Sequence, residues 1–282
     1  MSQHSFTSLI VTYNSASDIS NLLNDLLLYL PEGKIIVIDN ASRDKTADVV
    51  EKHFPQVRLI RNSTNVGYAR AVNQGFEFCH TDYVLLLNPD IRISSPQLFA
   101  EMEMCLRHSR QIAAVAPLQF KEDHGTQHLN FTWSYMTLPT FKLYLSSLSS
   151  RRPVSTEPIR VTFLNAGCLL IRRAAFEQVG RLNEKYFLYG EEPDLFLKFR
   201  RYGFECYLLP GVGVTHYREH SLMTRPAFQR LQIRFLAVRN VTDALFYGWA
   251  NILLDKLLRK GIQFLYERRR TTYKKRISDH PG

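Results

Sequence analysis

An α/β fold built on a mostly parallel, twisted sheet flanked by helices is predicted by three observations. The first 120 residues alternate short apolar runs with stretches of helical periodicity, the pattern of successive strand-helix units. The run Tyr83-Val-Leu-Leu-Leu87 is apolar throughout, as suits a strand covered on both faces. It then breaks into Asn88-Pro-Asp90, placing a carboxylate at the strand end, where ligands of such sheets usually collect.

Taken in order, strands are predicted over 6–13, 34–39, 57–60, 83–87 and 112–116, and helices over about 17–30, 44–54, 68–79 and 96–107. Residues 121–158 are polar and aromatic with scattered proline, and read as an insertion or mobile loop over the active face; Trp133 and Tyr135 are its candidates for acceptor contact. A second block follows, with a strand over 161–172, a short helix from Ala174, and a helix that Pro193 opens and that runs to Tyr202. Strands over 205–209 and 212–216 come next, then long helices from about Arg225 onward. The expected division is a domain over 1–222, with a nucleotide half to about 120 and a catalytic half after it, and a helical region over 223–282.

The chain of 282 residues is 45% hydrophobic and 22% charged, ordinary values for a globular protein with a substantial core. Cys79, Cys105, Cys168 and Cys206 are widely spaced and lie in apolar runs, which predicts core thiols in a reducing compartment and no zinc site. No signal-peptide pattern precedes the first strand, so a cytoplasmic location is expected. The apolar stretch 244–254 is too short to cross a bilayer.

Net charge is +10, and residues 251–282 carry nine Lys or Arg against three Asp or Glu. Basic residues interleaved with Leu253, Leu254, Leu257, Leu258, Ile262, Phe264 and Leu265 predict an amphipathic helix suited to the anionic inner-membrane surface. A solvated helix packed on the domain is the plainer alternative. Nucleic acid is not an expected partner, because no recognisable nucleic-acid module is present.

Four polar clusters fall at predicted strand ends: Thr12-Tyr13-Asn14, Asp39-Asn40 with Ser42 and Asp44, Asn65 to Gly75, and Asn88-Pro-Asp90. A Gly-x-Gly-x-x-Gly pattern after the first strand is absent, which gives a dinucleotide site little support. In this order, together with Asn165-Ala-Gly-Cys-Leu-Leu-Ile-Arg172 and Tyr189-Gly-Glu-Glu-Pro-Asp-Leu195, the clusters resemble the inverting glycosyltransferases of family 2, which have the GT-A fold. Within that family the likeness is to bacterial rhamnosyltransferases of O-antigen synthesis, and it spans roughly residues 6–220.

The resemblance implies a nucleotide-sugar site formed by Thr12, Tyr13, Asn14, Asp39, Asn40, Asn65, Gly67, Arg70, Asn73 and Asn88. Asp39 has the chemistry to accept the imide N–H of uracil or thymine, and equally to cap a turn. Ser42 and Asp44 read as caps of the next helix. Ala69, Ala71 and Gly75 would let that loop's helix approach the nucleotide closely. Arg70 would either reach a phosphate or lie on the solvated face. Asn88-Pro-Asp90 corresponds to the family's metal-binding Asp-x-Asp with its first carboxylate replaced, leaving Asp90 as the ligand for Mg²⁺ or Mn²⁺. His216, or with less support His220, stands where the family supplies a further ligand, and imidazole favours Mn²⁺.

Inversion at an anomeric carbon needs one carboxylate to take the acceptor hydroxyl proton. The resemblance puts Glu192 in that role, with Glu191 second, and gives Asp194 a structural place in the helix's first turn. The implied reaction moves L-rhamnose from dTDP-β-L-rhamnose, or another hexose or galactofuranose from a UDP-sugar, onto a polyprenyl-diphosphate-linked saccharide at the cytoplasmic face of the inner membrane. A non-catalytic nucleotide-sugar-binding scaffold is the rival from another class.

Overall fold

The structure, a computed structural model, describes residues 5–123, 126–129 and 156–217. Four strand-helix units come first: β1 (Phe6–Thr12) and α1 (Ile19–Tyr29), β2 (Lys34–Asp39) and α2 (Thr46–His53), β3 (Arg58–Arg61) and α3 (Tyr68–Phe76), then β4 (Tyr83–Leu87), a short β5 (Ile91–Arg92) and α4 (Gln97–His108). After them run β6 (Ile112–Asp123), β7 (Thr126–Leu129), β8 (Ile159–Val161), β9 (Cys168–Arg172), α5 (Arg173–Gln178), α6 (Glu191–Arg201) and β10 (Glu205–His216).

The strands form one sheet in the order β3-β2-β1-β4-β9-β6-β10-β5, with β7 paired to β6 and β8 to β10. β3, β2, β1 and β4 are parallel to their neighbours in the sheet, as connections that cross over through a helix allow. Later strands make the sheet mixed, because β9 enters antiparallel between β4 and β6.

Period-two alternation sorts side chains between two cores, one on each face. Leu9, Ile36, Ile38, Val84 and Leu86 pack with α3, α5 and α6 on one side. Ile10, Val37, Tyr83, Leu85 and Leu87 pack with α1 and α4 on the other. All five residues of β4 are buried, which explains its unbroken apolar run.

Several boundaries differ from expectation for identifiable reasons. The predicted strand 161–172 divides into β8 and β9, because the chain turns at Asn165, whose Oδ1 accepts the Gly167 N–H at 3.1 Å. The predicted pair 205–209 and 212–216 is one strand, β10, with a register shift between Leu209 and Gly213 that absorbs Pro210 as a bulge does. α6 begins at Glu191 rather than Pro193, behind Gly190 in the left-handed region at φ 95°. β6 and β7 form a hairpin in the stretch expected to begin a loop. Residues 130–155, with Trp133 and Tyr135, and 218–282, with His220 and the basic tail, lie outside the described residues.

All four cysteines are free thiols, three of them buried. Burial pushes the Cys79 and Cys206 thiols up to about 12 and the half-buried Cys105 to about 11, so they behave as small apolar groups. No helix among the described residues is long and apolar enough to cross a membrane.

Candidate active site

The ends of β1 and β2 lie in register, Thr12 opposite Asp39, so the two following loops meet at one edge of the sheet. Asp39 is only 3% exposed. Its Oδ1 accepts from the Thr12 hydroxyl at 3.2 Å and its Oδ2 from the Ser42 N–H at 3.1 Å, which orients the carboxylate and leaves lone pairs on both oxygens. Asn14, at φ 55°, accepts the Arg43 N–H on its side chain at 2.8 Å, and its own N–H goes to the Ser42 hydroxyl. Asp44 accepts the Thr46 N–H two residues on, a local turn bond just before α2, whose N-cap position is held by Lys45 rather than by Asp44 or Ser42; Ser42 serves Asn14 instead. Tyr13 follows half-buried on the same loop.

Asn40 organises the next loop. Its Nδ2 donates to Asn65 Oδ1 at 2.9 Å and to the Gly67 carbonyl, while its Oδ1 accepts from Asn62 Nδ2 and the Val66 N–H. This network holds the loop that leads into α3. Gly67, at φ 88°, has no space for a side chain, since a Cβ would stand 2.7 Å from the Phe187 carbonyl oxygen.

Two residues expected at the nucleotide are engaged elsewhere. The Arg70 side chain is 66% exposed and its Nε lies 4.0 Å from Glu184, so it lies on the solvated face. Asn73 is buried, donating to the Leu182 carbonyl and Glu184 and accepting the Leu182 N–H. Both ties follow from the side of α3 they occupy, which packs on the 181–184 segment. The small residues of α3 serve the sheet rather than a nucleotide: Ala69 and Ala71 are in the core, and a Cβ on Gly75 would meet Leu9 at 2.3 Å.

After β4 the chain turns sharply, the Asn88 carbonyl accepting the Ile91 N–H at 3.2 Å, and β5 pairs antiparallel with the end of β10. His216 thereby lies opposite Ile91, beside Asp90. Its Nε2 is 3.2 Å from Asp90 Oδ1 and 3.4 Å from Asn88 Nδ2, and its Nδ1 is 2.9 Å from Gln119 Oε1. The Tyr217 N–H donates to the Asp90 carbonyl at 3.0 Å and closes the turn. Among the described residues no group of three or more His, Cys, Asp or Glu is arranged to hold a metal ion. Asp90 and His216 stand side by side there, with Asn88 next to them.

The glutamate pair opens α6. Glu191 is 3% exposed, and its Oε2 is buried with no hydrogen-bond partner among the described residues. Burial, then the neighbouring Glu192 charge, pushes its carboxyl up to about 8. Glu192 is half-buried. The Tyr68 phenol is also pushed up, first by loss of solvent and then by Glu192 and Glu191, which places the start of α3 beside the pair. Asp194 pairs with Lys198 at 2.9 Å across one helical turn, the structural role expected of it.

Gln119, Asn165 and Gly167 complete the surroundings of His216, and of these Gln119 escaped the sequence reading. Its signal is a polar residue in the otherwise apolar run of β6, with 0% exposure in the fold.

The glycosyl transferase family 2 domain pattern matches residues 7–180, more than half of the chain. The chain belongs to glycosyl transferase family 2. It is a glycosyltransferase of the inverting type with a GT-A fold. An N-acetylglucosaminyl-diphospho-decaprenol L-rhamnosyltransferase of Mycobacterium tuberculosis is 28% identical over 238 residues, 77% of each chain. Rhamnosyltransferase WbbL of Escherichia coli K12 is 23% identical over 224 residues, 76% of this chain and 83% of that one. Among solved structures, the mannosyltransferase PcManGT of Pyrobaculum calidifontis, in complex with GDP-Man and Mn²⁺, superposes with a TM-score of 0.55 at 16% identity, covering 95% of this chain and 82% of the other. At that identity the likeness concerns the fold.

Proposed function

We propose that this family 2 glycosyltransferase moves L-rhamnose from dTDP-β-L-rhamnose onto a lipid-linked sugar diphosphate with inversion. The observation that carries the transfer chemistry is the glutamate pair at the start of α6. Two adjacent carboxyl groups in unequal surroundings divide the acid and base forms between them. Glu191, buried and raised to about 8, holds its proton at neutral pH. The more exposed Glu192 is the residue that accepts the acceptor hydroxyl proton as that oxygen attacks the anomeric carbon.

On the donor side, Asp39 receives the imide N–H of the base, and Thr12 and Ser42 hold its carboxylate for that bond. Tyr13, Asn14, Asn40 and Asn65 shape the loops around it, and Gly67 keeps the start of α3 against the 187 segment. Asp90 and His216, with Asn88 beside them, are the residues that would hold Mg²⁺ or Mn²⁺. Their donor atoms fit: a carboxylate oxygen and an imidazole nitrogen 3.2 Å apart, about the spacing of adjacent ligands around an ion with bonds of roughly 2.1 Å. When bound, the ion neutralises charge on the departing diphosphate. The solved relative with Mn²⁺ in its complex supports a divalent ion in this fold.

Rhamnose is favoured because two relatives matching three quarters of this chain are named rhamnosyltransferases, one of them for a lipid-diphosphate N-acetylglucosamine acceptor. One observation favours a second reading: Asp39 would accept the imide of uracil as readily as that of thymine, so UDP-hexose or UDP-galactofuranose is the competing donor. The positive surplus over 251–282 supports attachment to the anionic cytoplasmic surface that carries the acceptor.

Nucleoside diphosphate release tests the donor, using dTDP-rhamnose, UDP-galactose, UDP-GlcNAc and UDP-galactofuranose with Mn²⁺ or Mg²⁺ and a short lipid-diphosphate-GlcNAc acceptor. Acceptor-dependent release from dTDP-rhamnose alone is expected. Release from a UDP-sugar would overturn the donor, and donor binding without any release would leave a scaffold. Liposome flotation of the chain cut after Trp249 tests the tail: loss of flotation is expected, and a folded, truncated chain that still floats would exclude it as the anchor.

A further inference from the structure

The hydrogen bonds around His216 require a hydrogen on one particular nitrogen of its ring. Gln119 lies between His216 and the backbone of the 165–167 turn, fully buried in β6. One end of its amide is 3.0 Å from the Asn165 carbonyl oxygen. A carbonyl only accepts, so that end is the NH₂ group, and the other end is the oxygen. That oxygen is 2.9 Å from His216 Nδ1 and likewise only accepts, so Nδ1 carries the hydrogen. Nε2 faces Asp90 Oδ1 at 3.2 Å, so without a cation the two share a proton, and a bound cation takes that proton's place between the Nε2 lone pair and the carboxylate.

The 165–167 turn makes this possible sterically as well. Asn165 Oδ1 accepts the Gly167 N–H, and a Cβ on Gly167 would fall 2.7 Å from His216 Cε1, 2.8 Å from Nδ1 and 2.9 Å from Gln119 Oε1. Ring and amide occupy the space that any other residue at 167 would claim. The Gly167 carbonyl accepts the Asn88 N–H at 2.9 Å, so the same turn also holds the strand end that carries Asp90.

We infer that Gln119 is a positioning residue for metal binding: clamped by the Asn165 carbonyl, it holds His216 in the Nδ1–H tautomer and aims the Nε2 lone pair at the cation position shared with Asp90. Histidines that bind metals through one nitrogen are commonly oriented in this way through the other, and losing such a partner weakens metal binding about 10- to 100-fold. The inference rests on the proposed metal site. It assigns to the middle of β6 a function that neither Asp90 nor His216 performs alone.

Two measurements without turnover test it. Long-range ¹⁵N–¹H NMR of metal-free protein, at a pH where His216 is neutral, reads the tautomer. Mn²⁺ titration followed by electron paramagnetic resonance, with dTDP or UDP present and no acceptor, reads affinity. The wild-type chain is expected to show Nδ1–H. Gln119→Met, similar in shape but neither donor nor acceptor, is expected to lose that preference and bind Mn²⁺ about tenfold or more weakly. Gln119→Glu keeps an acceptor for Nδ1–H but loses the NH₂ that donates to the Asn165 carbonyl, and is expected to keep the Nδ1–H preference and bind Mn²⁺ more tightly than Gln119→Met. A wild-type Nε2–H tautomer, or unchanged Mn²⁺ affinity in folded Gln119→Met, would overturn the proposal. If Gln119→Met does not fold, the wild-type tautomer decides. Failure of the wild-type chain itself to bind Mn²⁺ would overturn the metal reading, and this proposal with it, a result distinct from failure of the variant comparison.

Discussion

The Tyr68 N–H donates to the Phe187 carbonyl oxygen at 2.8 Å, tying the first residue of α3 to the segment that runs into the glutamate pair. Asn40 holds the other end of the same loop through Asn65, Val66 and Gly67. The donor-side loop and the approach to α6 are therefore one hydrogen-bonded unit, and Phe187 stands 52% exposed beside it.

That unit depends on Gly67. Gly67→Ala adds a methyl 2.7 Å from the Phe187 oxygen, at a backbone conformation with φ 88° and ψ 163° that side chains disfavour. A loss of about 1–3 kcal/mol in denaturant unfolding is expected, with a fall in kcat/KM. An unchanged midpoint would show that the 187 segment yields without cost.

The glutamates should separate in kinetics. Glu192→Gln is expected to lower turnover by about 10²-fold or more, with donor affinity little changed, and Glu191→Gln to lower it much less. Single-turnover assays with donor-binding titrations check this. The reverse ranking would move the base to Glu191.

Glu191 also predicts how stability varies with pH. Its folded-state value of about 8 lies above its ordinary 4.5, so the native state holds more protons than the unfolded chain between those values. The stabilisation is fully present below about pH 4.5 and is lost as pH rises toward 8. Glu191→Gln should remove that slope and gain on wild type by a few kcal/mol near pH 8, at about 1.4 kcal/mol per pKa unit. Denaturant melts of both chains from pH 5 to 9 measure it, and parallel curves would refute it.

Removing the Asp90 carboxylate tests the cation site. Asp90→Ala is expected to abolish metal-dependent nucleotide binding, measured calorimetrically with and without chelator. Full activity of the wild-type chain in chelator would exclude a metal there.

β5 is braced from behind. Arg92 makes a two-pronged bond to Asp25 at 2.8 and 3.2 Å, and the Ile93 N–H donates to the same carboxylate at 3.0 Å, pinning α1 to the strand that follows Asp90. Asp25→Leu leaves the buried Ile93 N–H without its acceptor, and a loss of roughly 1–3 kcal/mol in urea unfolding is expected. No change in midpoint would mean that water replaces the carboxylate.

The parallel half of the sheet was legible in the chain, because hydrophobic period and strand-ending polar clusters are local properties: β1 to β4 and the placing of Thr12, Asp39, Asn40 and Asn88 could be read from it. The order of motifs likewise carried the family. Which side chains meet depends instead on how distant strands pair. His216 reaches Asp90 because β10 pairs antiparallel with β5, and Gln119 reaches His216 because β6 lies beside β10. Arg70 and Asn73 belong to the same motif as Asn65, yet they bind the 181–184 segment because they lie on the side of α3 that faces it, whereas Asn65 stays in the loop before the helix. The burial that raises Glu191 depends on what packs over the start of α6. Such contacts span from tens to more than a hundred residues of chain, and no local pattern encodes them.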